Sequence, residues 1–257
     1  PDHSLPPVTR RPRTTAPIDA PLDPAVVRYV GACEKILWSH TGAPVRDWLH
    51  QRGFNDDLLR ANHVGADPGR TMLPRLRGLP HGHSIAATFP ALGPAGDIAY
   101  VQARYLNPVG SDKYDNPAGR LGANPRLAWT QTPDGHTAPG LLLVTEGIPD
   151  ALTAAAAGYA SVGVLGSQAP DTRVAGVLAR HSHDTGRALV AIVDADPAGR
   201  AWGERLGEML GERDVSLSVV EPPVGLDLNA WATITPGWSA NLSTDSLPDV
   251  PIGRFVS

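Results

Sequence analysis

The sequence predicts an α/β protein: a parallel sheet flanked by helices in the C-terminal half, preceded by a small helical and β-stranded region. Three observations lead there. After residue 140, short continuous apolar runs alternate with helical stretches, the pattern of strands buried on both faces. Between 84 and 130, short β-type runs are separated by turns rich in Gly, Pro and Asn. Before residue 65, apolar side chains recur at helical spacing.

The elements follow in order. Residues 1–22 are proline-rich, lack periodicity and read as a disordered leader or linker. Asp23-Pro24 reads as an N-cap with proline at the first helical position. It opens a helix on Val26, Val30, Cys33 and Leu37 that ends near Ser39. A second short helix is expected over 43–51, and Asn55 caps a third in "NDDLLRANH", closing a helical module around Gly65. "SIAATFPAL" and "DIAYVQARYL" read as strands joined through "GPAG", and 113–125 as loop before a strand near 126–130. Then come strand "LLLVTEG", an alanine-rich helix over 148–157, strand "SVGVLG" and a helix over 170–181. Strand "ALVAIVDAD", a helix over 198–211, strand "SLSVVEP" and a short helix in "DLNAWAT" complete the series. The expected organisation is a leader (1–22), an N-terminal region (23–135), an α/β domain (136–235) and a flexible tail (236–257).

Composition narrows the classes. No apolar stretch reaches the roughly 18 residues of a membrane span, and residues 1–24 lack the apolar core of a secretory signal. The single cysteine, Cys33, excludes internal disulfides and a Cys-rich zinc ribbon within these residues, and its apolar helical setting reads as packing. A reducing, cytoplasmic setting is expected. The net charge of −4 speaks against a protein that simply coats DNA. Charge is nevertheless segregated: residues 25–135 carry 12 basic and 9 acidic side chains, residues 136–257 carry 7 and 14. A basic middle beside an acidic half fits a phosphate-tracking surface next to a site that collects metal, and also fits ordinary variation in solvated charge. His81 and His83 sit in a Gly/Pro loop and read as solvated.

The acidic residues fall where a parallel sheet gathers its loops, at the carboxyl ends of strands. Glu146 closes the first predicted strand, Asp194 and Asp196 close the third, and Asp227 follows the fourth. On extended backbone, positions i and i+2 leave one face, so Asp194 and Asp196 point the same way. Asp150 lies one helical turn after Glu146 and would support the cluster. Several carboxylates in one crevice repel each other unless a cation is present. Their hardness suits Mg²⁺ or Mn²⁺. Taken alone, "DADPAG" equally describes a polar turn that starts a helix.

The ordered set Glu-Gly, Leu-Gly-Ser, Asp-x-Asp-x-x-Gly and Asp-x-Asn is more specific than any member. With it, residues 140–232 resemble a TOPRIM domain, the metal-binding α/β fold shared by bacterial-type primases, topoisomerases and some nucleases. "EGIPDALTA" resembles the family's glutamate motif and "DADPAGRAW" its Asp-x-Asp motif in the form primases favour. "GLDLNAW" resembles the Asp-Leu-Asn element of phage and plasmid primases. Upstream, "RYLNP…DKYDNPAG" resembles the basic subdomain of bacterial-type primases, and "VRDWLHQRGFNDDLLRANHVGADPG" the helical entry to the same core.

The resemblance implies RNA primer synthesis on a single-stranded DNA template by metal-dependent nucleotidyl transfer from ribonucleotides. Glu146, Asp194 and Asp196 would hold one or two Mg²⁺ or Mn²⁺ ions, with Asp150 and Asp227 in support. Arg104, Lys113 and Asn116 would face nucleotide or template, and Arg120 and Arg126 would extend the backbone track. Tyr105, Tyr114 and Trp129 offer stacking faces or, more simply, sheet packing. Such primases usually carry an N-terminal zinc ribbon that this sequence lacks. Template selection or initiation would then be supplied elsewhere or by a segment outside these residues, and the resemblance implies a separate zinc-binding initiation factor or a replicative helicase as partner. A TOPRIM nuclease, or a non-catalytic nucleic-acid-binding adaptor of replication or mobile elements, are the alternatives.

Overall fold

A computed structural model describes residues 22–108, 113–138, 140–166, 170–240 and 242. The expected leader lies almost wholly outside them. Asp23 caps the first helix as predicted: its carboxylate accepts from the Ala25 amide at 2.8 Å, and α1 runs from Pro24 to Leu37. Helices α2 (Ala43–His50) and α3 (Asp56–Ala61) follow, the latter capped by the Asn55 side chain.

The chain then enters one continuous sheet. Strands β1 (Gly65–Asp67), β2 (Ala86–Leu92), β3 (Ile98–Tyr105), β4 (Tyr114–Asp115) and β5 (Leu127–Trp129) are paired antiparallel. Next come β6 (Leu141–Thr145), β7 (Ala160–Val164), β8 (Ala188–Ile192) and β9 (Leu217–Val220), mutually parallel. Their order is β4-β3-β2-β5-β7-β6-β8-β9, with β1 on β2, and β5 joins the two halves by pairing antiparallel with β7. The helical module does not simply close at Gly65, as expected from sequence. Residues 65–67 are buried and extended because they supply β2 with a partner.

The parallel strands are mostly apolar on both sides because helices cover both faces. With α4 (Ile148–Ala156), α5 (Thr172–Thr185), α6 (Pro197–Gly211) and α7 (Leu228–Ile234) in place, alternate residues sort by face. Leu142, Val144, Leu189 and Ala191 pack against Leu178 of α5 and Trp202 and Leu206 of α6. Leu141, Leu143, Val190 and Ile192 face Ala154 of α4 and Leu228 of α7. Ile148 and Leu152 of α4 also pack with Leu49, Phe54 and Leu58, docking the helical module beside the α/β domain.

The expectation of a flexible tail from residue 236 fails over its first residues. Trp238 packs on Trp231 with ring centroids 5.4 Å apart, Leu242 is buried, and the Tyr159 hydroxyl donates to the carbonyls of Ser239 and Leu242. These apolar groups finish the cover over the α4 face. Residues 243–257 lie outside the described residues. Among the described residues, no helix is long and apolar enough to cross a membrane.

Candidate active site

Strand order decides where the carboxylates meet. β6 lies between β7 and β8, and the next crossover passes to the other side, so the crevice opens at the carboxyl ends of β6 and β8. Thr145 is in register with Ile192, which puts Glu146 and the Val193–Asp194 turn side by side. The Asp194 amide donates to Glu146 Oε1 at 3.3 Å. Gly147, at φ +122°, lets the chain turn directly from Glu146 into α4, whose first turn carries Asp150.

Asp196 and Asp227 do two jobs at once. Asp196 caps α6, its Oδ1 accepting from the Gly199 amide at 2.8 Å; Asp227 caps α7, accepting from the Ala230 amide at 2.7 Å. The turn reading of "DADPAG" and the carboxylate-cluster reading therefore describe the same residues. Gly199 has no room for a side chain: a Cβ there would lie 2.2 Å from the Asp194 carbonyl oxygen and 2.8 Å from its nitrogen. Gly199→Ala must displace the segment that aims Asp194. We expect it to cost about 3 kcal/mol and to lower any activity at this edge at least about tenfold, measured by thermal melts beside an activity assay.

The electrostatics mark a strained acidic edge. Burial, followed by repulsion from Asp194 and Asp196, raises the Glu146 pKa. Burial, then Asp227 and Asp196, raises that of Asp194. Asp150 is pushed up to about 7, by burial first and then by Asp227 and Asp194, although it accepts a hydrogen bond from the Asn229 amide at 3.2 Å. Among the described residues no three His, Cys, Asp or Glu side chains are drawn into a closed cation-binding group. The donor chemistry fits one: hard carboxylate oxygens whose mutual repulsion a divalent cation would relieve.

Beside the carboxylates stand two guanidiniums. Arg104 on β3, opposite Tyr114 in register, has its Cζ 5.7 Å from the Tyr114 ring centroid and 5.2 Å from that of Trp48. Arg52, which the sequence did not single out, follows α2 with its Cζ 4.2 Å from the Trp48 centroid. Its Nη1 donates to Asn229 Oδ1 at 2.9 Å, and the Asn229 amide group donates back to the Arg52 carbonyl at 2.9 Å. Asn229, buried and also bonded to Thr153, thus ties the helical module to Asp150. No local spacing in "HQRGF" signals this; the partners are 177 residues apart. An open cleft of about 540 Å³ adjoins Glu146, with Gln102, Tyr114, Gly166, Trp202 and Arg205 on its walls.

The remaining basic candidates are placed less uniformly. Lys113 is exposed, and Asn116 accepts from Gln102 Nε2 at 3.2 Å. Arg120 donates to the Arg77 carbonyl, and Arg126 pairs with Asp171 at 2.8 Å, so both are engaged with loops of the protein itself. Tyr105 is buried, with its hydroxyl on Asp115 at 2.7 Å and its ring on His83. Trp129 is buried against His181. His81 is exposed beside Asp115. Cys33 is buried and its thiol is pushed up to about 12, chiefly by burial, which leaves it protonated and inert.

Known proteins share this fold. Residues 143–232 match the Toprim-like family. No curated protein sequence matches the chain. The fold is that of primase catalytic cores. The DnaG catalytic core superposes with a TM-score of 0.66 at 19% identity, covering 84% of this chain and 77% of the other. A DnaG primase catalytic domain bound to ssDNA gives 0.66 at 19% identity, covering 84% and 78%. The RNA polymerase domain of Mycobacterium tuberculosis primase DnaG gives 0.64 at 21%, covering 84% and 80%.

Proposed function

We propose that this chain is the catalytic core of a bacterial-type primase, a nucleotidyltransferase that joins ribonucleotides into short RNA primers on single-stranded DNA. One observation carries the reading: the carboxylate edge of the Toprim-like domain, Arg104 from β3 and Arg52 from the turn after α2 come together beside one continuous sheet. A carboxylate cluster alone would serve a nuclease as well. The meander of β2, β3 and β4, which carries Arg104 with Lys113 just before β4, adds a phosphate-facing wall beside it, in a fold shared with primase cores.

Glu146 and Asp194 would hold Mg²⁺ or Mn²⁺, with Asp196, Asp150 and Asp227 completing the acidic edge. Such an ion supplies activation of a 3′-hydroxyl and charge stabilisation at the α-phosphate and leaving pyrophosphate. The chain's own residues do the rest. Arg52 and Arg104 neutralise phosphate charge, and exposed Lys113 adds a mobile point charge along the strand path. Asn229 fixes Arg52 and Asp150 relative to one another. Asp196 and Asp227 keep their helix starts in place while presenting charge to the crevice. Template DNA would follow the β3–β4 side, where Asn116 and Gln102 meet. Arg120, on the Arg77 carbonyl, and Arg126, before β5 and ion-paired with Asp171, would extend the backbone track only beyond that side. A zinc-binding initiation factor or a helicase as partner, and a cytoplasmic setting, complete the reading.

The test is incubation of the protein with single-stranded DNA, four ribonucleotides and Mg²⁺ or Mn²⁺. Short, template-dependent RNA products are expected. Degradation of the DNA without incorporation would replace this reading with a nuclease, and metal-independent DNA binding without either product would replace it with an adaptor.

A further inference from the structure

We propose that Trp48 is a positioning residue, holding the Arg52 and Arg104 guanidiniums together on one indole so that both meet the polyphosphate of a nucleoside triphosphate; this rests on the nucleotidyl-transfer reading above. Arg52 lies four residues after Trp48, in the turn that follows α2, whereas Arg104 arrives from β3 in a different part of the chain. Both Cζ atoms nevertheless lie within about 5 Å of the same ring centroid, at 4.2 and 5.2 Å. Two cations so placed repel each other. The repulsion shows in Arg52, whose guanidinium is shifted downward by burial and then by Arg104.

The electron-rich ring of the half-buried indole attracts both guanidiniums, beside the pull of Asp227 and Asp150 on Arg52. Arg52 has one further anchor, Asn229 Oδ1. Among the described residues the Arg104 guanidinium has no hydrogen-bond or ion-pair partner; the rings of Trp48 and Tyr114 lie beside it, and Asp150 attracts it only at longer range. Removing the indole would leave Arg104 free to swing away from Arg52. A ligand needing both positive charges would then lose one, while a single phosphate group would lose little. Trp48 is thus matched to a chain of phosphates, and its packing with the α2–α3 core is a separate contribution.

The variants are Trp48→Phe, which keeps an aromatic face, and Trp48→Leu, which keeps apolar bulk without one. Trp48→Met replaces the latter should it not fold by thermal melting. Calorimetric titration with tripolyphosphate in the absence of metal is expected to give affinity within about threefold of the parent for Phe and about tenfold weaker for Leu. Orthophosphate should hardly distinguish them. In primer synthesis, Leu should raise the KM for ribonucleotides by a similar factor and leave kcat within about twofold. Parent-like tripolyphosphate binding by Leu, or equal losses in Phe and Leu, would overturn the role of the aromatic face. The same binding pattern in a protein that makes no primers would sustain the positioning role while removing the nucleotidyl-transfer reading.

Discussion

Glu146→Gln and Asp194→Asn are each expected to lower primer synthesis by about 10³-fold or more without unfolding the protein. Removing a carboxylate that holds a catalytic divalent ion forfeits several kcal/mol of charge stabilisation in the transition state, at about 1.4 kcal/mol for each factor of ten. The substitutions are nearly isosteric. Each also relieves repulsion, since the pKa values of Glu146 and Asp194 are raised by burial and by neighbouring carboxylates. Metal-free melting temperatures should therefore stay level or rise while product on a denaturing gel disappears. Asp196→Asn separates two roles. Asparagine caps helices as well as aspartate does, so α6 keeps its start at Gly199. Its expected loss, about 10²-fold, then reports the missing charge alone. Parent-like turnover in all three variants would mean that the acidic edge is not where chemistry occurs.

Much of this site could be read before any coordinates because its parts obey local rules. The alternation of buried strands with helices, the caps at Asp23 and Asn55, and the placement of Glu146 and Asp194 at strand ends are each set by a few neighbouring residues. The functional assignment of the basic side drew on the resemblance as well. What escaped notice is long-range. Arg52 looks like any surface arginine before a glycine until its bond to Asn229 brings it beside the carboxylates. Trp48 likewise reads as helix packing until β3 brings Arg104 to it. The beginning of the tail departs from its composition: Pro, Ser and Asp dominate residues 236–257, whereas Trp238 and Leu242 decide the packing of its first residues. Arg120 and Arg126 show the converse limit: basic character was legible, but their engagement with Arg77 and Asp171 depends on tertiary placement.

Asp150→Asn should make the metal-free protein more stable at pH 8 and leave it unchanged at pH 4. The folded-state carboxyl titrates near 7, driven upward by burial and then by Asp227 and Asp194, against an unfolded value of about 3.9. A carboxyl with a raised folded pKa binds its proton more tightly in the native state. Its contribution to stability is thus full below about pH 4, falls as pH rises toward 7, and is gone above that. Three pKa units correspond to at most about 4 kcal/mol, and solvent and counterions at this open edge reduce that to about 2 kcal/mol. For a chain of this size the gain in melting temperature at pH 8 is roughly 4–8 °C. Asparagine can still accept from the Asn229 amide, so the tie between α4 and α7 survives the substitution. Millimolar Mg²⁺ should reverse the ranking, because an ion that binds only the native acidic edge stabilises the parent more than a variant lacking one of its charges. A melting-temperature difference that is the same at pH 4 and pH 8 would show that the charge on Asp150 is not what the native state resists. A difference that appears with pH but is untouched by Mg²⁺ would place the cation elsewhere on the edge, nearer Glu146 and Asp194 than Asp150.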